Sequence, residues 1–415
     1  MKPFRLALTL AVLAGLLRAA DEERRAPPVE IPDFSNLDEY VYEPRSTLTF
    51  GFRYVSGAKT SFAGTGRLPS PEDPGAPRGA NLQRVYHDGA VQPDGRVVSR
   101  LDSSGNPIID PQTNNPVFDP IAPDGRTNAW NYTSANQLTA FPGYVAFNSY
   151  SATIDDSAVR KKDSESTSGL DIAMSRDMGK LFGRLPWTLT AGMSINDISA
   201  NTADNVRARV QTISDLYSLF GQVPPDAPYT SPSTSTTNVV DAAGNPLLND
   251  DGSTRTVTTD TSVLISNEPA ARTTTSVIDA TSVANRWQVK GAYYTFRAGP
   301  TVTLPFFSRL KATVSLGAAL VYSGTTYTVT QTFTPASGAE IADTSFSNDT
   351  KLLPGYYADA SLQFDLTERT GFYAGAILQS AGSYTQAVES ANASYSTKID
   401  LANQRGIRAG MSYRF

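Results

Sequence analysis

The sequence contains no cysteine and only one histidine, His87. Without cysteine the chain has no disulfide, no thiolate metal site and no cysteine that would carry a lipid anchor. Charged residues make up only 18% of the chain, the net charge is −5, and the basic residues are scattered. No nucleic-acid partner is therefore expected, because nucleic-acid-binding proteins concentrate basic residues in a patch or stripe.

Long apolar runs are also missing, except for one near the N-terminus. Residues 1–5 are basic in character, 6–17 are apolar, and Ala19-Ala20 follows. The apolar run is too short to cross a bilayer as a helix, which needs about 20 apolar residues. The pattern predicts a secretory signal peptide over 1–20, followed by a Pro- and acid-rich N-terminal segment over 21–45.

Several later segments alternate apolar residues with small or polar ones. In Leu310–Tyr322, Trp187–Ile195 and Tyr356–Leu366 every second residue is apolar. Because successive residues of a strand point to opposite faces, each segment is expected to form a strand with one apolar and one polar face. The segments have about ten residues or more, the length a tilted strand needs to cross a bilayer, whereas strands of soluble proteins average five or six.

The alternation predicts eight strands joined by connections of two different lengths. The strands are 46–56, 166–176, 185–198, 286–304, 309–331, 354–366, 370–385 and 403–415. The short connections are 177–184, 305–308 and 367–369, and the long ones are about 57–165, 199–285, 332–353 and 386–402. This asymmetry is typical of transmembrane β-barrels. We therefore predict an all-β fold over 46–415, a closed antiparallel up-and-down transmembrane β-barrel of eight strands. Ten strands are the alternative, if 144–154 and 393–401 pair as extensions or as an extra hairpin.

The last predicted strand ends the chain on an aromatic residue. Its apolar face consists of Ile407, Ala409, Met411, Tyr413 and Phe415. This pattern resembles the C-terminal signature of bacterial outer-membrane β-barrels, and the strands resemble the small eight-stranded type of the OmpA membrane domain, OmpX and OmpW. The resemblance implies a place among the lipids of the bacterial outer membrane, with the N-terminal segment and short turns in the periplasm and long extracellular loops. It also implies that the barrel-assembly machinery recognises Met411, Tyr413 and Phe415 during insertion.

The second long connection contains two further patterns. Apolar residues of 204–220 recur at helical spacing, which predicts a helix. The Thr-rich segment 234–265 contains the turn sequences Gly244-Asn245-Pro246 and Asp250-Asp251-Gly252, which predict a hairpin. The second turn lacks the ligand spacing and the closing Glu of a calcium-binding loop, so no metal site is predicted.

Eight ionisable residues lie on the face opposite the apolar one and are predicted to point into the lumen. They are Arg53, Asp171, Arg297, Lys311, Asp359, Asp365, Arg408 and Arg414. Eight strands enclose an interior that is just wide enough for side chains to fill it. We therefore expect a salt-bridged polar plug that braces the barrel. A narrow path for ions or solutes is the alternative.

His87 precedes Asp88, and a His–Asp pair carries protons in some hydrolases. No nucleophile motif lies near this pair, and Asp88-Gly89 is typical of a turn, so no catalytic residue and no cofactor are predicted.

The sequence therefore indicates a non-enzymatic outer-membrane protein with a structural or surface-interaction role and at most a narrow, porin-like permeability. The alternative is an OmpW-like channel for small hydrophobic molecules. That function requires an apolar pocket under the first long loop, around Tyr86, Trp130 and Phe147.

Overall fold

The computed structural model of the chain describes residues 45–113, 115–163, 166–249, 252–335 and 340–415. The predicted signal peptide, and all but the last residue of the predicted N-terminal segment, lie outside the described residues. No helix in the described ranges has both the length and the apolar composition needed to cross a membrane.

Within these ranges the chain forms β-strands and one short helix, α1 (Asn136–Thr139). The strands are β1 (Ser46–Ser56), β2 (Lys59–Leu68), β3 (Arg84–Tyr86), β4 (Gly89–Val91), β5 (Val97–Ser99), β6 (Phe118–Pro120), β7 (Arg126–Thr127), β8 (Trp130–Tyr132), β9 (Tyr144–Ile154), β10 (Arg160–Asp163), β11 (Thr167–Leu181), β12 (Leu185–Ser218), β13 (Tyr229–Thr230), β14 (Thr234–Asn238), β15 (Thr256–Asp260), β16 (Ile265–Ser266), β17 (Ala271–Pro305), β18 (Leu310–Phe333), β19 (Ile341–Asp365), β20 (Thr370–Ser380), β21 (Ser383–Ser390), β22 (Ala393–Asp400) and β23 (Gln404–Arg414).

Thirteen of these strands form one sheet. Eight of the thirteen pair antiparallel in the order β11-β1-β23-β20-β19-β18-β17-β12, and β12 pairs in turn with β11. We call this set the strand circuit. Each of its strands has a hydrogen-bonded neighbour on both sides. The two ends of the described 46–415 segment meet in it, because the Ser46 N–H donates to the Phe415 carbonyl oxygen at 3.0 Å.

The alternation of side chains gives the strand circuit an outer and an inner face. In β1, Phe50 and Phe52 are exposed on the outer face, whereas Arg53 and Val55 are buried on the inner face. At one end, the turn end, short connections join β11 to β12, β17 to β18 and β19 to β20. At the other end, the loop end, β12, β17, β18 and β19 continue past the ends of β1, β11, β20 and β23.

The predicted fold, a closed antiparallel up-and-down barrel of eight strands with ten as the alternative, is wrong, because the sheet contains thirteen strands. The five additional strands, β2, β9, β10, β21 and β22, come wholly or mainly from segments predicted as loops. The predicted loops 199–285 and 332–353 are in part continuations of β12, β17, β18 and β19. Apolar alternation identifies only strands with an apolar face, whereas backbone N–H and C=O groups pair wherever a neighbouring strand continues.

The segments 144–154 and 393–401, considered as an extra hairpin, do not pair with each other. They contain β9 and β22, and β2 pairs with both. β9 also pairs with β12, and β22 also pairs with β21.

The helix predicted over 204–220 is also wrong, because most of this segment is the second half of β12. Val206 and Ala208 are both buried, and from Ala208 onwards the strand pairs with β17 on one side and β9 on the other. A spacing of four residues returns to the same face in a strand as well as in a helix. Beyond Val210 the next apolar residues, Ile213 and Leu216, follow at a spacing of three and depart from the two-residue period that would have indicated a strand.

At the loop end the interior is filled by a core of aliphatic side chains around several aromatic rings. Phe62 of β2 stacks on Trp287 of β17 and Tyr327 of β18, with ring centroids 6.4 and 6.0 Å apart. Tyr395 of β22 is buried in the same cluster, and its hydroxyl donates to Gln331 Oε1 at 3.0 Å. β2 and β22 therefore cover the loop end with side chains that contact β17 and β18.

A second, smaller core lies against the beginning of β9 and the end of β12, which pair with each other. Strands β3, β4, β8 and β13 form a four-stranded sheet. Its Tyr86 and Trp130 pack with Phe147 of β9 and Tyr217 of β12 in one buried cluster. We call this unit, together with the two exposed arms 97–120 and 234–260, the head.

Two exposed arms belong to the head: finger 1 (97–120), which contains β5 and β6, and finger 2 (234–260), which contains β14 and β15. Both contain the turn Asp-x-x-Gly-Asn-Pro followed by two branched aliphatic residues, at 102–109 and at 241–248. The pairing of β14 with β15 confirms the hairpin predicted in the Thr-rich segment. Residues 250 and 251 of its second turn lie outside the described residues.

The two turns have the same hydrogen bonds. Asp102 Oδ1 accepts from the backbone N–H groups two and four residues later, at 2.8 and 2.9 Å. Asp241 Oδ1 accepts from the corresponding groups at 2.8 and 2.9 Å. These bonds, chiefly the one from the residue four positions later, hold the pKa of both carboxyls below its usual value. The fingers are thus two copies of one locally determined structure.

Replacing Asp102 with alanine is expected to loosen finger 1 and leave the strand circuit unchanged. The variant removes the acceptor of two backbone N–H groups, which then become open to solvent exchange. Hydrogen–deuterium exchange with mass-spectrometric detection should show several-fold faster exchange within 97–120. The matched variant Asp241→Ala should affect only finger 2. If either variant accelerates exchange in both fingers, the two turns are not independent.

Candidate functional site

Four of the predicted lumen residues form one buried network inside the strand circuit. Arg297 Nη2 donates to both carboxylate oxygens of Asp171, at 2.8 and 2.9 Å. Arg408 Nη1 donates to Asp171 Oδ2 at 3.4 Å, and its Nη2 donates to Asp359 in a short hydrogen bond. The four residues come from β17, β11, β23 and β19, and Asp171 is only 1% exposed. We call them the ion network.

Two aromatic rings pack against the ion network, and a glycine leaves space for one of these rings. The Arg297 guanidinium lies 5.8 Å from the centre of the Tyr357 ring, and that of Arg408 lies 5.1 Å from the centre of the Tyr373 ring. A Cβ on Gly51 would come within 2.5 Å of the Tyr373 hydroxyl oxygen. Glycine at position 51 therefore allows the Tyr373 ring to cross the interior beside Arg408.

A second polar layer lies next to the ion network, towards the loop end. Arg53 donates to Ser194 and, through Nη2, to Gln379 Oε1 at 3.1 Å. Gln379 Nε2 donates in turn to Thr295 Oγ1 at 2.9 Å. Beyond this layer begins the aromatic core around Trp287. The interior is therefore filled by three successive layers of side chains.

The other three predicted lumen residues lie towards the turn end. Lys311 Nζ is 2.6 Å from Asp365 Oδ2, and both side chains are partly exposed. Arg414 lies in the wall of a cavity at this end. The structure thus joins four of the eight predicted residues in the ion network, places Arg53 in the adjacent layer, and leaves a pair and a single arginine near the turn end.

Several uncharged members of the interior were missed from the sequence. Gln379, Ser194 and Thr295 complete the hydrogen bonds of the Arg53 layer, and Gln404 Nε2 donates to the Tyr293 hydroxyl at 2.8 Å. These residues occupy the same inward register as the predicted charges. The prediction considered only ionisable residues on that face and therefore overlooked them.

A cavity of about 310 Å³, which we call the vestibule, lies between the ion network and the turn end. Arg297, Asp359 and Arg408 stand at its inner end, and Lys311 and Arg414 lie towards its mouth. Its wall consists mainly of hydroxyl side chains, including Thr49, Thr188, Thr190, Thr301, Thr303 and Thr313.

His87 and Asp88 lie in the head and do not hydrogen bond to each other through their side chains. Asp88 accepts from the backbone N–H and from Nδ2 of Asn148, both at 2.7 Å. His87 Nδ1 accepts from the Tyr150 N–H at 3.1 Å. Burial raises the pKa of Asp88 to about 6 and lowers the pKa of His87. Their contacts hold strand β9 against the head.

Among the residues that the structure describes, no three His, Cys, Asp or Glu side chains come together as a metal site. The backbone N–H of Asn249 donates to the Ser253 carbonyl oxygen at 2.8 Å, across the turn that was considered for calcium.

The residues predicted to line an apolar pocket pack against one another. Tyr86 and Trp130 lie 5.2 and 6.5 Å from Phe147 between ring centroids, and all three are buried. The Tyr86 hydroxyl donates to Asp215 Oδ2 at 2.5 Å, and Arg272 binds both oxygens of that carboxylate at 2.6 Å. The position of the proposed pocket is thus occupied by the side chains expected to surround it.

The residues predicted to be the assembly signal lie on the outer face of the last strand. Met411 and Tyr413 are exposed, and β23 pairs with β1 and β20. Phe415 follows the end of this strand and is also exposed. Their recognition by the assembly machinery stays a prediction.

Comparisons with known proteins give only weak similarities. No protein-family model matches the chain, and no curated protein matches it. Among solved structures, the outer-membrane protease OmpT from Escherichia coli has 8% identity and a TM-score of 0.28, covering 89% of this chain and 97% of that one. A FadL homologue from Pseudomonas aeruginosa has 9% identity and a TM-score of 0.18, covering 89% and 90%. TM-scores this low carry no conclusion, so the function has to be inferred from the geometry of this chain.

The variant Asp171→Asn is expected to destabilise the protein strongly, because it leaves the Arg297 guanidinium buried without its counter-charge. Removing one partner of a buried ion pair costs about 3–5 kcal/mol. Urea unfolding of the refolded protein in lipid vesicles measures this loss. The control is Asp365→Asn, whose partly exposed pair with Lys311 should contribute only about 0–1 kcal/mol. Equal losses for the two variants would contradict a special role for the ion network.

Proposed function

We propose that the chain is a non-enzymatic outer-membrane protein that crosses the membrane with the strand circuit and presents the head to a partner at the cell surface. The observation that carries this proposal is an apolar outer surface around an interior filled with side chains. Under this proposal the turn end faces the periplasm and the loop end faces outwards.

The outer face of the strand circuit carries a continuous apolar belt. Phe50, Ile172 and Met193 are cross-strand partners on three consecutive strands, and all three are exposed. The belt consists of Leu48, Phe50, Phe52, Tyr54, Leu170, Ile172, Met174, Leu189, Met193, Tyr294, Phe296, Val314, Leu316, Leu320, Leu352, Tyr356, Leu362, Phe364, Phe372, Leu378, Ile407, Met411 and Tyr413. Soluble monomers rarely expose apolar patches larger than a few hundred Å². Contact with lipid accounts for this surface.

The height of the belt also fits a bilayer. Leu352 and Phe364 both lie in β19 and are both exposed. The strand between them is about 40 Å long at about 3.3 Å per residue, which gives about 28 Å along the axis at a tilt of about 45°. The apolar band of known outer-membrane barrels is about 25 Å tall.

The filled interior supports a role other than transport. An ion moving from the turn end would meet the ion network, then the layer around Arg53, then the core around Trp287. Arg53 and Trp287 are 1% and 2% exposed. Passage through these layers requires displacement of packed side chains and of buried charges that hydrogen bond to one another, which is energetically costly.

The fingers support a surface-interaction role. Leu101 of finger 1 and Val240 of finger 2 stand directly before the aspartates of the two equivalent turns, and both are exposed. Ile109 and Leu248 form a second equivalent and exposed pair. Exposed apolar side chains at matching positions of two arms contribute little to folding, whereas such side chains are common in contact surfaces between proteins.

Refolded protein in planar bilayers is expected to show no stable open channel, because three layers of side chains fill the strand circuit. Single-channel recording measures the conductance, and swelling of vesicles in small sugars measures the passage of solutes. Resistance of the strand circuit to added protease, in the same vesicles, confirms that the protein has inserted. A large, stable and weakly selective conductance would overturn the filled interior.

The variant Phe50→Arg is expected to weaken insertion, because it places a charge in the middle of the belt. The expected loss of folding free energy in lipid vesicles is about 2–4 kcal/mol. The matched control is Phe118→Arg in finger 1, where a similarly exposed phenylalanine faces water, and its effect should stay within about 0.5 kcal/mol. If both variants insert as well as the unmodified protein, the belt does not face lipid.

A further inference from the structure

We infer that the vestibule is a binding site for a small oxyanion, meaning a solute that carries a carboxylate or phosphate group and enters from the turn end. The ion network closes the inner end, so the site binds a solute without conducting it. This inference goes beyond the proposed surface role and does not depend on a partner for the head.

An unused donor at the inner end gives the first argument. Arg297 lines the vestibule and is only 4% exposed. Its Nη2 donates to Asp171, but its Nη1 has no hydrogen-bond partner in the structure. An unpaired buried donor is costly, and the cost is larger for a charged group. Because Nη1 is itself buried, an oxygen of a bound anion would satisfy it after the guanidinium turns towards the cavity.

The balance of charge around the cavity gives the second argument. Four basic residues line it, Arg297, Lys311, Arg408 and Arg414, against two acidic ones, Asp177 and Asp359, a difference of two positive charges. Two further carboxylates, Asp171 and Asp365, compensate these bases from positions outside the lining. The surface that a solute contacts is therefore more basic than the layer behind it.

The positions of individual groups favour an anion further. The Asp177 carboxylate accepts the N–H of Gly179 at 2.8 Å, in its own turn at the mouth. Arg414 lies in the wall near the same mouth. A guanidinium binds carboxylate and phosphate through paired hydrogen bonds, so Arg414 suits the capture of an oxyanion.

The hydroxyl side chains of the wall give the third argument. Thr49, Thr301 and Thr303 come from β1 and β17 and line the cavity between its mouth and the ion network. A hydroxyl donates to one oxygen while it accepts from another group. Thr49 already donates to the Ala173 carbonyl oxygen and Thr301 hydrogen bonds to Thr190, and each hydroxyl retains a lone pair for a further contact. Such a polar wall suits an oxygen-rich solute better than an apolar ligand. The volume of about 310 Å³ accommodates a small metabolite.

Isothermal titration calorimetry of the refolded protein in a non-ionic detergent tests the inference. The probes are inorganic phosphate, acetate and, as a neutral hydroxylated solute, glycerol. Saturable binding of phosphate, acetate or both, without binding of glycerol, is expected, and the preferred anion identifies the head group of the natural solute. Absence of saturable binding by both anions overturns the inference.

Two variants and one control locate the site. The double variant Asp171→Leu with Arg297→Met removes the inner donor and keeps the interior neutral, and it should weaken anion binding about tenfold or more. Thr303→Phe fills the vestibule from its wall, leaves every charge in place and should abolish binding. Arg100→Met changes an exposed arginine of finger 1 and should leave binding unchanged.

These outcomes remain decisive if one variant folds poorly, because Thr303→Phe alters no buried charge. Binding that persists in both the double variant and Thr303→Phe overturns the site. Failure here is also distinct from failure of the proposed function, since conductance and insertion are measured without any added anion.

Discussion

Backbone pairing around the strand circuit is the constraint on which the rest of the molecule depends. Each strand of the circuit has a hydrogen-bonded neighbour on both sides, and β12 completes the order by pairing with β11. The backbone polar groups of these segments are then satisfied without water, which is the condition for contact with lipid. Only because of this pairing can the outer face carry side chains as apolar as Phe50 and Ile172.

The same pairing determines what the interior must contain. Inward side chains are confined to a narrow space, so a buried charge there needs a partner from another strand. Asp171 obtains two, Arg297 and Arg408, and Arg408 also binds Asp359. Towards the loop end, β2 and β22 exclude water with a cover of their own, and the interior changes from ionic to aromatic around Phe62 and Trp287. Interior side chains therefore change from charged near the turn end to apolar near the loop end, because β2 and β22 cover only the loop end.

Apolar alternation in the sequence was sufficient to locate individual strands and the faces of their side chains. The predicted strand 46–56 coincides with β1, and 403–415 differs from β23 by one residue at each end. Alternation also placed Asp171 and Arg297 on the inward face. Alternation does not predict the contact between Asp171 and Arg297, which are 126 residues apart in the sequence. It shows only that a side chain points inwards, and not which strands lie close enough for two inward side chains to touch.

The polar strands were the main failure of the sequence-based prediction. The turn signals predict β14 and β15, whereas β2 falls in a predicted loop and β9 is a strand only in the ten-strand alternative, because both lie in a long connection without apolar alternation of the outer-face type. Pairing with a neighbour stabilises such strands whatever faces they carry. The repeated turn of the fingers was visible in the sequence as Gly-Asn-Pro at 105–107 and at 244–246. The shared pattern at 102–109 and 241–248 is the sequence signal that identifies it.

The location of the two fingers gives this repeat a physical consequence. Their bases lie close together, since Asn128 Nδ2 donates to Asp260 Oδ2 at 3.5 Å and β7 pairs with β16. The turn of each finger is held by hydrogen bonds that span at most four residues, so each keeps its shape without support from the strand circuit. Under the proposed surface role, a partner that contacts one finger would be held near an equivalent second surface, and a second contact would gain from the high effective concentration. Under the proposed function, duplication of a modest surface would therefore strengthen binding without any change in the strand circuit.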